Sequence, residues 1–143
     1  MMPDGSKTLV CLVGLPRSGK STWAIKQGYP IVNPDSVRLA IYGQRFIAQA
    51  EPFVWATTKA MVRALFLTGH NVVILDATNT THKRRIEWVS LEWTTYFKLI
   101  DTPKEVCIER AQAEGDTEIV SVIERMAEQF EPLGDDYLLW TGW

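Results

Sequence analysis

The 143-residue chain balances 15 Lys and Arg against 17 Asp and Glu for a net charge of -2, with 46% hydrophobic and 22% charged residues. That is room for one domain with its own core and too little for two, so residues 1–143 are expected to form a single domain. The balance excludes a chain that binds duplex nucleic acid through bulk positive charge; any nucleic-acid contact has to come from a local patch.

Thr8 to Val13 is a nearly all-apolar run of the kind that forms a strand buried on both faces. It leads into Gly14-Leu15-Pro16-Arg17-Ser18-Gly19-Lys20-Ser21, which fits the phosphate-binding pattern G-x-x-x-x-G-K-S/T at every fixed position, and Ser21 to Gln27 reads as the helix that follows. In such a loop the backbone N–H groups turn inward around phosphate oxygens and the helix N-terminus adds partial positive charge. Lys20 then reaches the β- and γ-phosphates, the Ser21 hydroxyl can ligate Mg²⁺, and Thr22 completes the set expected to bind ATP or another nucleoside triphosphate.

Ile31-Val32 is a short second strand, after which Asn33 as N-cap and Pro34 at the first helical position start a helix that stops at Tyr42-Gly43. Asp35 and Arg38 share a face of its first turn and can point toward the C-terminal edge of the sheet, where open α/β sheets bind ligands. Asp35 reads in two ways, as a carboxylate that favours the helix dipole or as a general base accepting the proton of an attacking hydroxyl. A loop from Gly43 to Glu51 precedes a long helix opened by Pro52, whose Val54, Thr58, Met61, Leu65 and Thr68 mark a core stripe widened by Val62 and Phe66.

Val72 to Leu75 is the most strand-like run, and Asp76 at its end fits the pattern of a carboxylate that holds Mg²⁺ directly or through water. Asp76-Ala77-Thr78-Asn79 leads into a helix expected over 81–93 with Ile86, Val89 and Trp93 on its buried side. His82, Lys83, Arg84 and Arg85 put basic groups at the positive end of that helix, which an anion there would offset. Arg84 and Arg85 are therefore candidate phosphate contacts, the alternative being a solvated basic turn. Tyr96 to Ile100 is a fourth strand, and Thr102-Pro103-Lys104-Glu105 reads as a capping box with Pro103 at the first helical position. A last helix is expected over 118–130, and Tyr137 to Trp140 as a fifth strand. Cys11 and Cys107, far apart and in no metal spacing, read as buried reduced thiols. No apolar run approaches the ~18 residues of a membrane span and Met1 to Lys7 has no signal-peptide core, so a cytoplasmic protein without membrane contact is expected.

G-L-P-R-S-G-K-S-T-W-A at Gly14 to Ala24, followed by N-P-D-S-V-R at Asn33 to Arg38, resembles the kinase domain of the bacteriophage polynucleotide kinase family. D-A-T-N at Asp76 to Asn79, then Arg84-Arg85, Trp88 and V-C-I-E-R at Val106 to Arg110, extend the likeness over most of the chain. The resemblance implies ATP with Mg²⁺ as donor, a nucleic acid 5'-hydroxyl end as acceptor, Asp35 as general base and Arg38 on substrate phosphate. It implies catalytic roles for Lys20 and Arg110, and an acceptor site of Asp35, Arg38, Asp76, Asn79, Arg84 and Arg85. Two departures stand out: Glu114 occupies the place where the family's lid carries an arginine, and the 3'-phosphatase domain that accompanies many such kinases is not in this sequence.

The expected fold is therefore α/β, a P-loop NTPase kinase fold with a parallel sheet of four or five strands and helices on both faces. The expected activity is ATP-dependent phosphoryl transfer to a polynucleotide 5'-hydroxyl. A small-molecule hydroxyl kinase of the same architecture, and an ATP-binding module with little turnover, are the alternatives.

Overall fold

A computed structural model describes residues 6–142; Met1 to Gly5 and Trp143, and the expectations that touch them, lie outside the described residues. Four parallel strands, β1 (Thr8–Val13), β2 (Ile31–Val32), β3 (Val72–Leu75) and β4 (Thr94–Leu99), form one sheet in the order β2-β3-β1-β4. Six helices join and cover them: α1 (Lys20–Gln27), α2 (Pro34–Tyr42), α3 (Glu51–Leu67), α4 (His82–Ile86), α5 (Lys104–Ala113) and α6 (Glu118–Gln129). Because β1 lies between two neighbours and both its faces are covered, alternation along it divides the core. Leu9, Cys11 and Val13 point toward Val62 and Phe66 of α3, whereas Val10 and Leu12 point toward Ala24 of α1. A third apolar cluster, Leu15 with Cys107, Ala111 and Ile123, seats the α5–α6 pair against the loop after β1. Both cysteines are free and buried.

This topology gathers four of the candidate segments at one edge. The chain leaves β1 at Val13, β2 at Val32, β3 at Leu75 and β4 at Leu99 on the same side of the parallel sheet, so the phosphate loop, Asn33 to Asp35, Asp76 and Thr102 are neighbours. Asn33 caps α2 as expected, its Oδ1 accepting from the Asp35 N–H at 2.7 Å.

Four expectations are corrected. On α3 the fully packed row is Val54, Thr58, Val62 and Phe66, while Met61 and Thr68 are exposed. The strict four-residue row wins because Thr58, its one polar member, spends its hydroxyl on the Val54 carbonyl at 2.7 Å and so enters the core satisfied. The helix expected over 81–93 ends at Ile86, and Ile86 and Val89 face solvent. Trp88 is buried instead, and its carbonyl accepts from Trp93 Nε1 at 3.0 Å and Thr95 Oγ1 at 2.7 Å, which diverts it from helical bonding. Pro103 stands at the N-cap of α5, because the Thr102 hydroxyl donates to the Ser18 carbonyl at 2.7 Å and is not available to cap. The fifth strand is a single bridge, in which the Phe97 N–H meets the Leu138 carbonyl and the Trp140 N–H meets the Phe97 carbonyl. Ring contacts of Tyr137 on Phe97 and Trp140 on Tyr96 hold that tail in place of a ladder. No helix among the described residues is long and apolar enough to cross a membrane.

Candidate active site

The loop from Gly14 to Ser21 is tied at every corner. The Gly14 N–H donates to the Thr78 carbonyl at 2.9 Å, the Ser18 N–H to the Leu15 carbonyl at 3.1 Å, and the Trp23 N–H to the Gly19 carbonyl at 3.0 Å. Gly19 has φ 102°, a conformation that opens α1 at little cost only to glycine, and a Cβ on Gly14 would stand 3.0 Å from the Ile100 carbonyl oxygen. Arg17 bears the strain of φ 67°, held there by Arg110, whose Nη1 donates to the Arg17 carbonyl at 3.0 Å. Pro16 is half-buried beside it, and Thr22 is exposed on the first turn of α1.

Lys20 is buried and its Nζ donates to the Leu15 carbonyl at 2.7 Å, which lays the side chain along the inside of the loop. Burial pushes the Lys20 ammonium below its ordinary value, opposed by the charges of Asp76 and then Asp35. Both carboxylates therefore act on the same ammonium. Ser21 Oγ donates to Asp76 Oδ2 at 2.6 Å, and Asn33 Nδ2 approaches the same oxygen at 3.3 Å. Among the described residues no group of three or more His, Cys, Asp or Glu side chains could hold a metal by itself. A hydroxyl and one carboxylate suit Mg²⁺, which keeps several waters and completes its shell with phosphate oxygens.

In the first turn of α2, Arg38 joins two carboxylates. Its Nη1 donates to Asp35 Oδ1 at 2.6 Å, while Nε and Nη2 form a bidentate pair with Glu51 at 2.9 and 2.7 Å. The Asp35 side chain is 76% exposed and that of Arg38 13%. The carboxylate thus stands free for a ligand while the cation that orients it is packed. Glu51 was placed in a loop by sequence alone; only the approach of α2 to the start of α3 reveals it as the partner of Arg38. The Arg38 hydrogen bonds hold the Glu51 carboxyl below its usual range. A depressed folded-state pKa contributes stability that is complete above the unfolded value of about 4.3 and lost as the pH falls through the lower folded value. Glu51→Gln is accordingly expected to flatten the fall in thermal stability below about pH 4.3, read by melting curves across an acid series. Parallel curves for both proteins would disprove the linkage.

Glu114, at the departure from the family pattern, lies on the loop between α5 and α6 and pairs with Arg17 of the phosphate loop. Arg17 also donates to Asp116 at 2.8 Å, and Asp116 in turn takes Arg45 from the segment between α2 and α3. Hydrogen bonds from Arg45 and then Arg17 hold the Asp116 carboxyl far below the ordinary range. The clasp therefore joins phosphate loop, α5–α6 loop and α2–α3 segment, with Arg110 rather than Arg17 keeping a guanidinium against the loop backbone.

Two of the expected substrate contacts are buried in the fold and bonded to its backbone. Arg85 is fully buried, with Nε donating to the Asn79 carbonyl at 2.8 Å, Nη2 to the carbonyls of Thr80 and Glu131, and Nη1 to the Tyr137 hydroxyl at 3.4 Å, so its donors are spent within the protein. Asn79 is buried too, with φ 46°, and its Nδ2 donates to the Leu12 carbonyl at 2.9 Å, tying the end of β1 to the turn after β3. The anion expected at the start of the basic helix is the protein's own Glu131, whose carboxylate accepts from the His82 N–H at 2.8 Å. Arg84 differs from its neighbour: half-buried, it lies over the Trp55 ring at 4.1 Å from the centroid and pairs with Glu87 at 2.7 Å. Asn33, Glu51, Thr102 and Asp116 join the candidate site through their contacts with Asp76, Arg38, Ser18 and Arg17, and of these only Asn33, within N-P-D, carries a signal in the sequence.

A chain in the structure of a Pnkp1/Rnl/Hen1 complex is 30% identical, with a TM-score of 0.67; the match covers 76% of this chain and 40% of that one. The match therefore takes in less than half of that relative's length. A gluconokinase from Sinorhizobium meliloti 1021 is 18% identical at a TM-score of 0.58, covering 96% of this chain and 82% of its own. The Mycobacterium tuberculosis APS kinase, solved with AMPPNP and APS, is 21% identical at 0.59, with 85% and 77% covered. These two likenesses establish the fold. A family model described as an AAA domain matches residues 9–133. With that match across most of its length, on a sheet and loop built as in P-loop kinases, the chain belongs to the AAA domain family.

Proposed function

We propose that this chain transfers the γ-phosphoryl group of ATP to the 5'-hydroxyl of a polynucleotide. The observation that carries the reading is the Asp35–Arg38–Glu51 array, an exposed carboxylate oriented by a packed guanidinium at the strand edge that also bears Lys20 and Ser21–Asp76. The 30% identity to a chain of the Pnkp1/Rnl/Hen1 complex supports it.

In this reading Gly14 to Thr22 cradle the triphosphate and Lys20 spreads charge over its β- and γ-phosphates. Ser21 and Asp76 hold Mg²⁺, which supplies charge neutralisation on the phosphate oxygens when bound. Asp35 accepts the proton of the attacking hydroxyl, Arg38 keeps that carboxylate in place and meets acceptor phosphate through its remaining N–H groups, and Arg110 braces the loop. The catalytic contribution is positioning and fixed charge.

The test is transfer of labelled γ-phosphate from ATP–Mg²⁺ to 5'-hydroxyl DNA and RNA oligonucleotides, run beside nucleosides, gluconate and other small alcohols. Label on oligonucleotide 5' ends is the expected result. Label on a small alcohol alone would replace this reading with a small-molecule kinase, which the net charge of -2 favours. ATP binding without transfer to any acceptor would make the chain a binding module.

A further inference from the structure

Glu51, Trp55 and Lys59 stand on successive turns of α3, each about 6 Å from the next, on the flank that meets the segment after β3. Glu51 begins this row at Arg38, and Trp55 Nε1 donates to Glu51 Oε1 at 3.2 Å. Next along, Arg84 covers the Trp55 ring, and Lys59 Nζ lies 5.5 Å from the centroid of Trp88 while donating to the Glu87 carbonyl at 2.8 Å. A cleft of about 150 Å³ lined by Trp55, Ala56, Lys59, Glu87 and Trp88 opens between these elements.

The charges along this groove are unequal. Its carboxylates, Glu51 and Glu87, are taken by Arg38 and Arg84, whereas no carboxylate among the described residues stands within ion-pair distance of Lys59. Lys59 is half-buried over the indole of buried Trp88 and lacks an anionic partner among the described residues, one turn from the half-buried Trp55 ring that Arg84 covers. Indole and guanidinium planes both stack nucleobases, and ammonium groups beside them meet phosphates. The row leads away from Asp35, and Lys59 lies about 12 Å along α3 from Glu51, the length of three or four stacked nucleotides at ~3.4 Å each.

We propose that the groove between α3 and the segment 84–88 carries the acceptor strand beyond its first nucleotide, with the Trp55–Arg84 stack receiving a base and Lys59 a backbone phosphate. The proposal rests on the polynucleotide reading and adds to it where the strand runs and how many nucleotides it engages. A small hydroxyl acceptor would reach Asp35 and Arg38 without touching it.

The experiment compares KM values for a nucleoside 3'-phosphate and for 5'-hydroxyl oligonucleotides of two, four and six nucleotides, in wild type, Lys59→Glu and Trp55→Leu. Wild-type KM is expected to fall about tenfold or more between one and four nucleotides and then level, and each variant to lose most of that fall. The Lys59→Glu variant should also lower the slope of log KM against log salt by about one contact. Binding of a 3'-fluorescein tetranucleotide without ATP, read by anisotropy, should weaken in parallel. Transfer that occurs with a KM independent of acceptor length, or a length dependence unchanged in Lys59→Glu, overturns the groove and leaves the kinase reading intact. Transfer to small alcohols but to no nucleotide overturns both.

Discussion

Replacing Asp35 by alanine is expected to lower the phosphoryl-transfer rate about 10²- to 10⁴-fold, the range associated with removing a positioned general base. The substitution should leave ATP affinity and folding nearly intact. Among the described residues Asp35 makes one ion pair, to Arg38, from a side chain that is 76% exposed, and such pairs contribute about 0–1 kcal/mol. Arg38 keeps its bidentate partner Glu51, so the junction of α2 and α3 does not collapse when Asp35 is removed. The measurement is single-turnover transfer beside an ATP-binding isotherm and a melting curve. A rate within about threefold of wild type would remove Asp35 from the chemistry and leave it as a helix-dipole carboxylate. Asp35→Asn refines the result: it keeps the shape and an acceptor for Arg38 but cannot take the proton, so it should be nearly as slow as alanine.

Arg85→Ala is expected to destabilise the protein by about 3–5 kcal/mol and lower its melting temperature by roughly 10 °C or more. The residue is fully buried and serves the carbonyls of Asn79, Thr80 and Glu131, while its guanidinium carbon lies 5.6 Å from the Phe130 ring centroid and 5.3 Å from that of Tyr137. Truncation leaves three carbonyls without that donor and opens a space beneath two rings. Because Asn79 also anchors Leu12, loosening its carbonyl should reach the phosphate loop as weaker ATP binding. Arg84→Ala is the control: its ion pair is exposed and its contact with Trp55 is a surface cation–π interaction, so the loss should stay within about 1 kcal/mol. Equal effects of the two substitutions, read by thermal and denaturant unfolding, would refute the assignment of Arg85 as a structural tie.

The adjacent arginines show why part of the site was legible and part was not. In sequence Arg84 and Arg85 are equivalent, two cations in the first turn of a basic helix. In the fold one faces Trp55 and the other turns inward, because the carbonyls it serves come from the segment after β3 and from a tail 46 residues away. The α3 stripe failed for a related reason: Met61 and Val62 are both apolar, and only the sheet opposite them decides which is buried. The helix expected over 81–93 was lost to Trp93 and Thr95, whose side-chain donors converge on the Trp88 carbonyl, the second of them from the strand that follows.

What the sequence by itself determined is the local chemistry: strand, phosphate loop and helix from Thr8 to Gln27, the Asn33 cap with Asp35 and Arg38 one turn apart, and Asp76 at the end of an apolar strand. These are dictated by periodicity, by glycine's access to positive φ and by capping hydrogen bonds, all of which act over a few residues. Only the tertiary structure decided that Glu51 grips Arg38, that Glu114 and Asp116 close on Arg17 and that Glu131 answers the basic turn. Charged groups far apart in the chain carry no periodic signature, and their pairing is settled by which strand ends the parallel sheet brings to one edge.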